Sequence, residues 1–504
     1  MNLSHRFSCL LLVLLCSACV STVAVEQSEF NPSATVAPQV SRHSDTYIQN
    51  LLEEVVRDGR TVGVVVGLLE ADGSRRVFSH GSPGAGARAL AAESVFEIGS
   101  ITKVFTGILL ADMVRRGEVE LSDPVSQYLP ASVRVPSRDG REITLLDLAT
   151  HRSGLPKMPQ GLVDDDYARY TIQHFYDFVS SYELPRGVNE SYEYSNVGMA
   201  LLGRALELRA DKPYEALLRE RVLDPLGLEH TAVTLTPALE QRLAYGHNAF
   251  GDPAQRWDLP AMIPAGSLRS TVHDMLTFAA ANLSAITTDA HDSLRDALRV
   301  HRPADEEGYE MALGWEVHRL GDRLFASHSG DTWGYGAFLA IDLSTRRAAV
   351  ALSNAGSAGV SGLEFHLLHP SIPMRERSVS LPVVAAYRTG GLEAAIDRYR
   401  ELYEEAHDRW VFDEWALNSV GYWLLARGVT DNAVDLFALN VDRYPDAPNP
   451  HGSLGYALLR ASRPEEALQN YRRGVAVAEA AGHPDLSAHR ANLERVLSEL
   501  AQPD

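Results

Sequence analysis

The chain has 504 residues, 45% hydrophobic and 22% charged, an ordinary globular composition with room for two or three domains. Its net charge is −20 and no basic stripe appears, which argues against nucleic-acid binding and for a soluble acidic surface. All three cysteines, Cys9, Cys16 and Cys19, fall near the N-terminus, so the rest of the chain has no disulfide framework and no catalytic or metal-binding thiol.

Residues 1–25 have the parts of an export signal. Arg6, with His5, precedes an apolar run over 9–16, and small residues follow. The run is too short to span a bilayer comfortably. Two processing routes are open: a cleavage site at Thr22-Val23-Ala24, or a lipobox-like Cys16-Ser17-Ala18-Cys19 with Cys19 as the lipidated residue. A retained signal-anchor is the third reading. The expected location is the bacterial cell envelope or periplasm, with the membrane touched only through this segment. Residues 26–42 are polar, contain Pro32 and Pro38, and read as a linker.

A helix is expected over 45–58. Strands follow at 61–69 and 75–79, joined at Ala71-Asp72-Gly73 as a hairpin. A loop of small residues over 81–92 leads to Gly99-Ser100-Ile101-Thr102-Lys103, which opens an apolar helix. Ser100 then sits at a helix N-terminus, among unpaired N–H groups and the positive end of the dipole. Lys103 is one turn along on the same face. Lys occurs only at 103, 157 and 212, so Ser-x-x-Lys is a rare coincidence here. Burial in an apolar segment favours the neutral amine, which can take a proton from a serine hydroxyl; Arg cannot. A capped helix start with a solvated Lys is the alternative.

The chain then turns mostly helical, with helices at 143–150 (capped by Thr144), 175–181, 195–209 and 214–222, and one capped near Thr271. Strand patterns return from 311, at 313–317, 324–328, 336–341 and 348–352, an antiparallel meander. With the N-terminal hairpin these make six candidate segments for an expected five-stranded sheet, closed by a helix over 357–369. The helical stretch is an insertion between the second and third strands, and clefts form at such junctions. The linker 373–385 separates domain 43–372 from a region 386–504 that repeats. Gly421 and Gly455, Ala433 and Ala467, and Phe437 and Tyr471 each match at an offset of 34 residues. A period of 34 with helix–turn–helix content resembles tetratricopeptide repeats, here a solenoid of about three units and a surface for a protein partner.

Two further stretches complete an acyl-transfer site. Tyr194-Ser195-Asn196 begins the helix over 195–209. Tyr194 beside a cationic Lys loses its proton more easily and passes protons to the leaving group. Asn196 donates and accepts, suited to bridging Lys103 and a substrate amide. His328-Ser329-Gly330 ends a strand. Gly330 lets a substrate backbone approach, the N–H groups of Asp331 and Ser100 form an oxyanion hole, and His328 supplies a polar or cationic wall near Tyr194. A helix cap and a strand-end turn are the plain alternatives. His366 and His369, three apart, read as a surface pair, and Asp164-Asp165-Asp166 as a solvated loop. No metal or cofactor is called for.

Ser-x-x-Lys, Tyr-x-Asn and His-x-Gly in this order resemble the serine β-lactamase and penicillin-binding superfamily. Tyr194-Ser195-Asn196 is the form seen in class C β-lactamases and in related D-Ala-D-Ala carboxypeptidases and esterases. The stretches 145–155, 264–270 and 351–354 are also similar. The resemblance covers about 43–370. It implies an α/β fold with a helical insertion and a serine hydrolase acting through an acyl-enzyme on a small-molecule or peptide substrate. His328 stands where class C β-lactamases carry Lys, which favours a peptidase or esterase over an efficient β-lactamase. Asp331 and Trp333 line the mouth of the acyl pocket, and Asp331 disfavours a free carboxylate there. The competing reading is a non-hydrolytic penicillin-binding or scaffold protein acting through its repeats.

Overall fold

The computed structural model describes residues 42–500, apart from 85, 160–163, 285–287, 304–308, 322, 357–358, 375–376, 407–409 and 484. The export signal with Cys19, and nearly all of the linker 26–42, lie outside the described residues.

The sheet is organised around its most apolar strand, Gly63–Leu69, buried along its whole length. It pairs antiparallel with Arg75–Gly81 on one side and Arg347–Ser353 on the other. Its side chains alternate between two cores. Val64, Val66 and Leu68 pack with Ile48, Leu52 and Val55 of the helix Asp45–Arg57 and with Leu363 and Leu367 of the helix Leu363–Leu368. Val65 and Leu69 face the larger core, shared with Phe105, Val272 and Met275. Both faces being covered, the strand reads as a continuous apolar run.

The sheet has eight strands, not five. Beyond Arg347–Ser353 come Gly336–Asp342, Arg323–Asp331, Glu316–Leu320, Tyr309–Met311 and Arg302–Pro303, all antiparallel. The strands not expected are Tyr309–Met311 and Arg302–Pro303, and the apolar stretch 313–317 misplaced the start of a third. Gly314 has φ 72° and marks a turn, and Trp315 is apolar because it stacks at 6.0 Å on Phe278, itself 4.6 Å from Phe105. The true strand starts at Glu316 and ends in Arg319-Leu320, half of it exposed. The last two strands are two and three residues long, and one contains Pro303. Ladder partners define them, without apolar periodicity.

The insertion lies between Arg75–Gly81 and Arg302–Pro303. It holds the helices Thr102–Arg115, Leu145–Ala149, Ile172–Ser181, Asn196–Ala210 and Val272–Asn282. Local chemistry starts several of them. Thr144 and Asp147 form a reciprocal capping box, and Ser195 and Thr271 each accept a backbone N–H from their own first turn. Residues 214–222 are a short helix, Tyr214–Leu218, run into a π-helical turn, Arg219–Leu223. Asp164–Arg169 is a 3₁₀ turn. His366 is no surface residue. It is buried, with Nε2 2.7 Å from the Tyr47 hydroxyl and Nδ1 donating to the Ile372 carbonyl at 2.7 Å. It ties the N-terminal helix to the end of this domain. His369 instead bonds Ser371.

The C-terminal region is helical from Ser380, inside the stretch read as a linker. Ser380–Ala406 is broken at Gly391, where φ is 71°. Glu414–Leu425, Thr430–Arg443, Pro448–Arg460, Pro464–Ala481 and Leu486–Leu500 follow, packed in series. The 34-residue repeat has a steric basis. A Cβ on Gly421 would lie 2.5 Å from the Phe437 ring, and one on Gly455 would lie 2.9 Å from the Tyr471 ring. In both pairs the glycine seats the aromatic side chain of the next helix.

Candidate active site

Ser100 lies in a 3₁₀ turn, Gly99–Ile101, that feeds directly into the helix Thr102–Arg115. The turn is tied to the stretch over 263–271. Ile98 N–H donates to Leu268 O at 3.0 Å, Leu268 N–H donates to the Thr102 hydroxyl at 3.1 Å, and that hydroxyl donates to Gly99 O at 2.6 Å. Ser100 is thereby fixed to the floor of a cleft of about 290 Å³. A larger cavity, about 590 Å³, is lined by Val114, Glu120, Arg141 and Arg302 and contains none of Ser100, Lys103 and Tyr194. Chemistry, not size, singles out the cleft.

Lys103 is fully buried. Its Nζ lies 2.8 Å from Ser100 Oγ and donates to the Ala265 carbonyl at 2.6 Å. Burial pushes its pKa well below the usual lysine range; Glu316 opposes the shift and Lys157 adds to it. Burial thus favours the neutral amine, the form that can take a proton from the Ser100 hydroxyl.

Tyr194 is half-buried, hydrogen-bonded to Ser100, with Lys103 Nζ 4.8 Å from its ring centroid. Its protonation state is the reverse of the expected one. Burial drives the phenol pKa strongly upward, outweighing the Ser100 hydrogen bond, and Glu316 adds to the rise. No cation is among the influences on this group. Tyr194 is therefore a neutral phenol that can donate and accept, a relay and not a resident phenolate.

Behind Tyr194 stand two buried histidines. His151, with φ 57°, packs its ring 4.6 Å from Tyr194, and its Nδ1 accepts the Ser195 N–H at 3.1 Å. His328 has its ring 6.3 Å from Tyr194 and its Nδ1 2.6 Å from the Ser329 carbonyl, to which it donates. Burial lowers both pKa values, His151 especially. Burial favours the neutral form of both rings, so of the polar or cationic wall expected of His328 the polar form is the one favoured. Nor does it line the cleft: on its strand it faces inward, while its neighbours Ser329 and Asp331 face the cavity.

Backbone segments of the two halves of the cleft meet beside Ser100. A Cβ on Gly330 would lie 2.0 Å from Ile98 O and 3.0 Å from Ser100 N, and one on Gly99 would lie 2.9 Å from Asp331 N. Only glycines allow these segments to meet so closely. Thr332 N–H donates to Tyr335 O, and bonded pairs alternate along an antiparallel ladder. The Asp331–Gly336 pair is then a non-bonded one, with the Asp331 N–H turned away from that partner and toward Gly99 and Ser100. Ser100 N and Asp331 N each lie at one of these close approaches, the kind of place where an oxyanion would need donors.

Asn196 lines the cleft, but its side-chain N–H donates to Met158 Sδ at 3.3 Å rather than bridging to Lys103. Trp333 sits in an aromatic wall, 5.0 Å from Trp257 and 4.9 Å from Tyr167. Several residues here were not anticipated. Lys157 is exposed in the cleft lining, so Asp331 is not the only charge there. Trp257, Met158 and Thr332 line it as well. Lys157 had a signal, being one of three lysines. Trp257 sits in an irregular loop with no periodicity to reveal it.

The family model that matches residues 48–364 is described as Beta-lactamase. Over 214 residues the chain is 35% identical to a D-alanyl-D-alanine-carboxypeptidase/endopeptidase, AmpH, of Escherichia coli K12; the match covers 42% of this chain and 54% of that one. A beta-lactamase of the same organism is 29% identical over 45% of this chain and 58% of its own. The chain thus spans about half the length of these curated relatives. A Beta-Lactamase/D-Alanine Carboxypeptidase structure from Pseudomonas syringae shares the fold, with a TM-score of 0.57 at 20% identity, over 65% of this chain and 99% of that one.

Proposed function

Since the chain belongs to the beta-lactamase family, we propose that it is an exported serine hydrolase that forms an acyl-enzyme on Ser100. The observation that carries this reading is the fully buried Lys103 amine, 2.8 Å from Ser100 Oγ, where burial favours the uncharged form. Lys103 takes the proton as Ser100 Oγ attacks the substrate carbonyl carbon. The carbonyl oxygen becomes an oxyanion held by the N–H groups of Ser100 and Asp331. Tyr194 gives its proton to the leaving amine or alkoxide and regains one from the Lys103 ammonium, which restores the neutral pair. Water, deprotonated by the same pair, then attacks the acyl carbon, and Ser100 leaves with the proton.

The substrate class we favour is a peptide, amide or ester of the cell envelope rather than a β-lactam turned over efficiently. Support comes from His328 at the position of the third-motif lysine, from the burial that favours its neutral form, and from the carboxypeptidase/endopeptidase name of a relative. The helical repeats offer a surface for a protein partner, and residues 1–25 supply the export signal, with Cys19 as a lipid anchor if the lipobox route is used.

The test is covalent labelling. A fluorophosphonate and a fluorescent penicillin are each incubated with the protein and with Ser100→Ala, and adducts are mapped by mass spectrometry. We expect a Ser100 adduct that the variant lacks; no adduct with either probe would refute the reading. A turnover screen with nitrocefin, D-alanyl peptides and short-chain esters then ranks substrates. Fast nitrocefin hydrolysis would overturn the preference against β-lactams.

A further inference from the structure

The loop over 245–258 has its tip in one part of the molecule and its two legs in another. At the tip, Asp252 receives three donors from the C-terminal helical region. Arg388 donates at 2.8 Å, the Trp423 indole N–H donates at 2.9 Å, and Arg427 forms a close ion pair. Arg427 lies 4.0 Å over the Trp423 ring, and Phe250 packs against the same ring at 5.9 Å. Burial alone would raise the Asp252 pKa, but the Trp423 hydrogen bond and the two guanidiniums outweigh it and hold the carboxyl below its usual range.

The tip is stiff. Asn248 Oδ1 accepts the N–H groups of Phe250 and Asp252 at 3.0 and 3.1 Å, and Asn248 N–H donates to the Asp252 carbonyl at 2.7 Å. The legs end on the wall of the cleft. His247 N–H donates to the carbonyl of Gly334, next to Trp333. Trp257 N–H donates to the buried Glu97 carboxylate at 3.1 Å, and its ring closes the aromatic wall against Trp333. One short loop therefore joins the repeats to the side of the cleft that faces Ser100.

We propose that Asp252 is a positioning residue for substrate: through this carboxylate the C-terminal helical region holds the loop that sets the Trp257–Trp333 wall. This rests on the Ser100 cleft being the active site. The floor, built from Ser100, Lys103 and Tyr194, has its own supports and does not depend on Asp252. The wall does. Loosening it weakens binding of acyl groups large enough to touch Trp257, and leaves the bond-forming step alone.

The experiment uses the full chain and two fluorophosphonates, one with a methyl group and one with a biphenyl group. Saturation kinetics of Ser100 labelling separate the half-saturating concentration from the limiting rate. For the biphenyl probe, Asp252→Asn and Trp257→Ala are each expected to raise the half-saturating concentration roughly fivefold to tenfold at an unchanged limiting rate. For the methyl probe neither should change either quantity. The double variant should be no worse than Trp257→Ala alone, since both remove one wall, and Arg427→Lys should fall between wild type and Arg427→Ala. Thermal unfolding of each variant reports folding separately. Additive effects of Asp252→Asn and Trp257→Ala would overturn the proposal. So would a lowered melting temperature with the biphenyl probe unaffected. Failure of the wild-type protein to label at Ser100 would instead strike at the hydrolase reading itself.

Discussion

At the base of the cleft and just behind it, Lys103, His151 and His328 are buried and Tyr194 is half-buried, and short contacts hold them in place. On the wall, Trp257, Trp333, Tyr167 and Lys157 are half-buried or exposed and come from loops and a 3₁₀ turn. The floor stores its chemistry as displaced pKa values, because removing water disfavours every charge there. The wall stores shape and apolar area. If that division is right, changes to the floor act on the rate of acyl transfer and changes to the wall act on substrate affinity.

The largest break is expected from Lys103→Arg. A guanidinium cannot be neutral, so no base faces Ser100, and kcat/KM should fall by roughly 10³-fold to 10⁴-fold in steady-state assays. Gly330→Ala comes next. The added carbon would lie 2.0 Å from Ile98 O, forcing the Asp331 N–H out of line. Loss of one oxyanion donor costs on the order of 10²-fold to 10³-fold in kcat. Tyr194→Phe keeps the ring and removes the relay, with a fall of roughly 10²-fold in kcat. On the wall, Trp333→Ala should leave kcat near wild type and raise KM by about tenfold for bulky acyl groups. A wall variant that lowered kcat like Tyr194→Phe would erase the division.

The pH profile sharpens the same comparison. The active form of Lys103 is neutral, so kcat/KM should rise with pH through the Lys103 pKa and level off. Because burial lowers that pKa well below the usual lysine range, the plateau should begin far below the pH at which a solvated lysine titrates. An acid limb extending to ordinary lysine values would show that Lys103 is charged in the free enzyme. The His328→Lys variant restores the cation seen in class C relatives, and its effect should appear in substrate preference rather than in this limb.

The C-terminal helices differ from both parts of the cleft. Their order is legible because it is local: Gly421 and Gly455 must be small for Phe437 and Tyr471 to seat, and that need recurs every turn of the repeat. The floor was partly legible for a related reason. Ser100 and Lys103 share one helical face, and Ser195 caps the helix that Tyr194 precedes. The short strands Tyr309–Met311 and Arg302–Pro303 left no pattern: their partners are close along the chain, but each strand is too short to show a period. The wall was nearly invisible, since an irregular loop carries no period and Trp257 gains its place only from Trp333 and Tyr167.

By itself the sequence determined the order of the three motifs, the apolar strand 63–69, the helix starts and the 34-residue repeat. Each is written in nearest neighbours and in periods of two, 3.6 or one repeat. Tertiary structure alone decided the number of strands, the upward push on the Tyr194 pKa, the inward turn of His328 and the joining of Asp252 to the repeats. These depend on which groups lose water and which distant groups meet, and neither quantity is carried by a residue's neighbours along the chain.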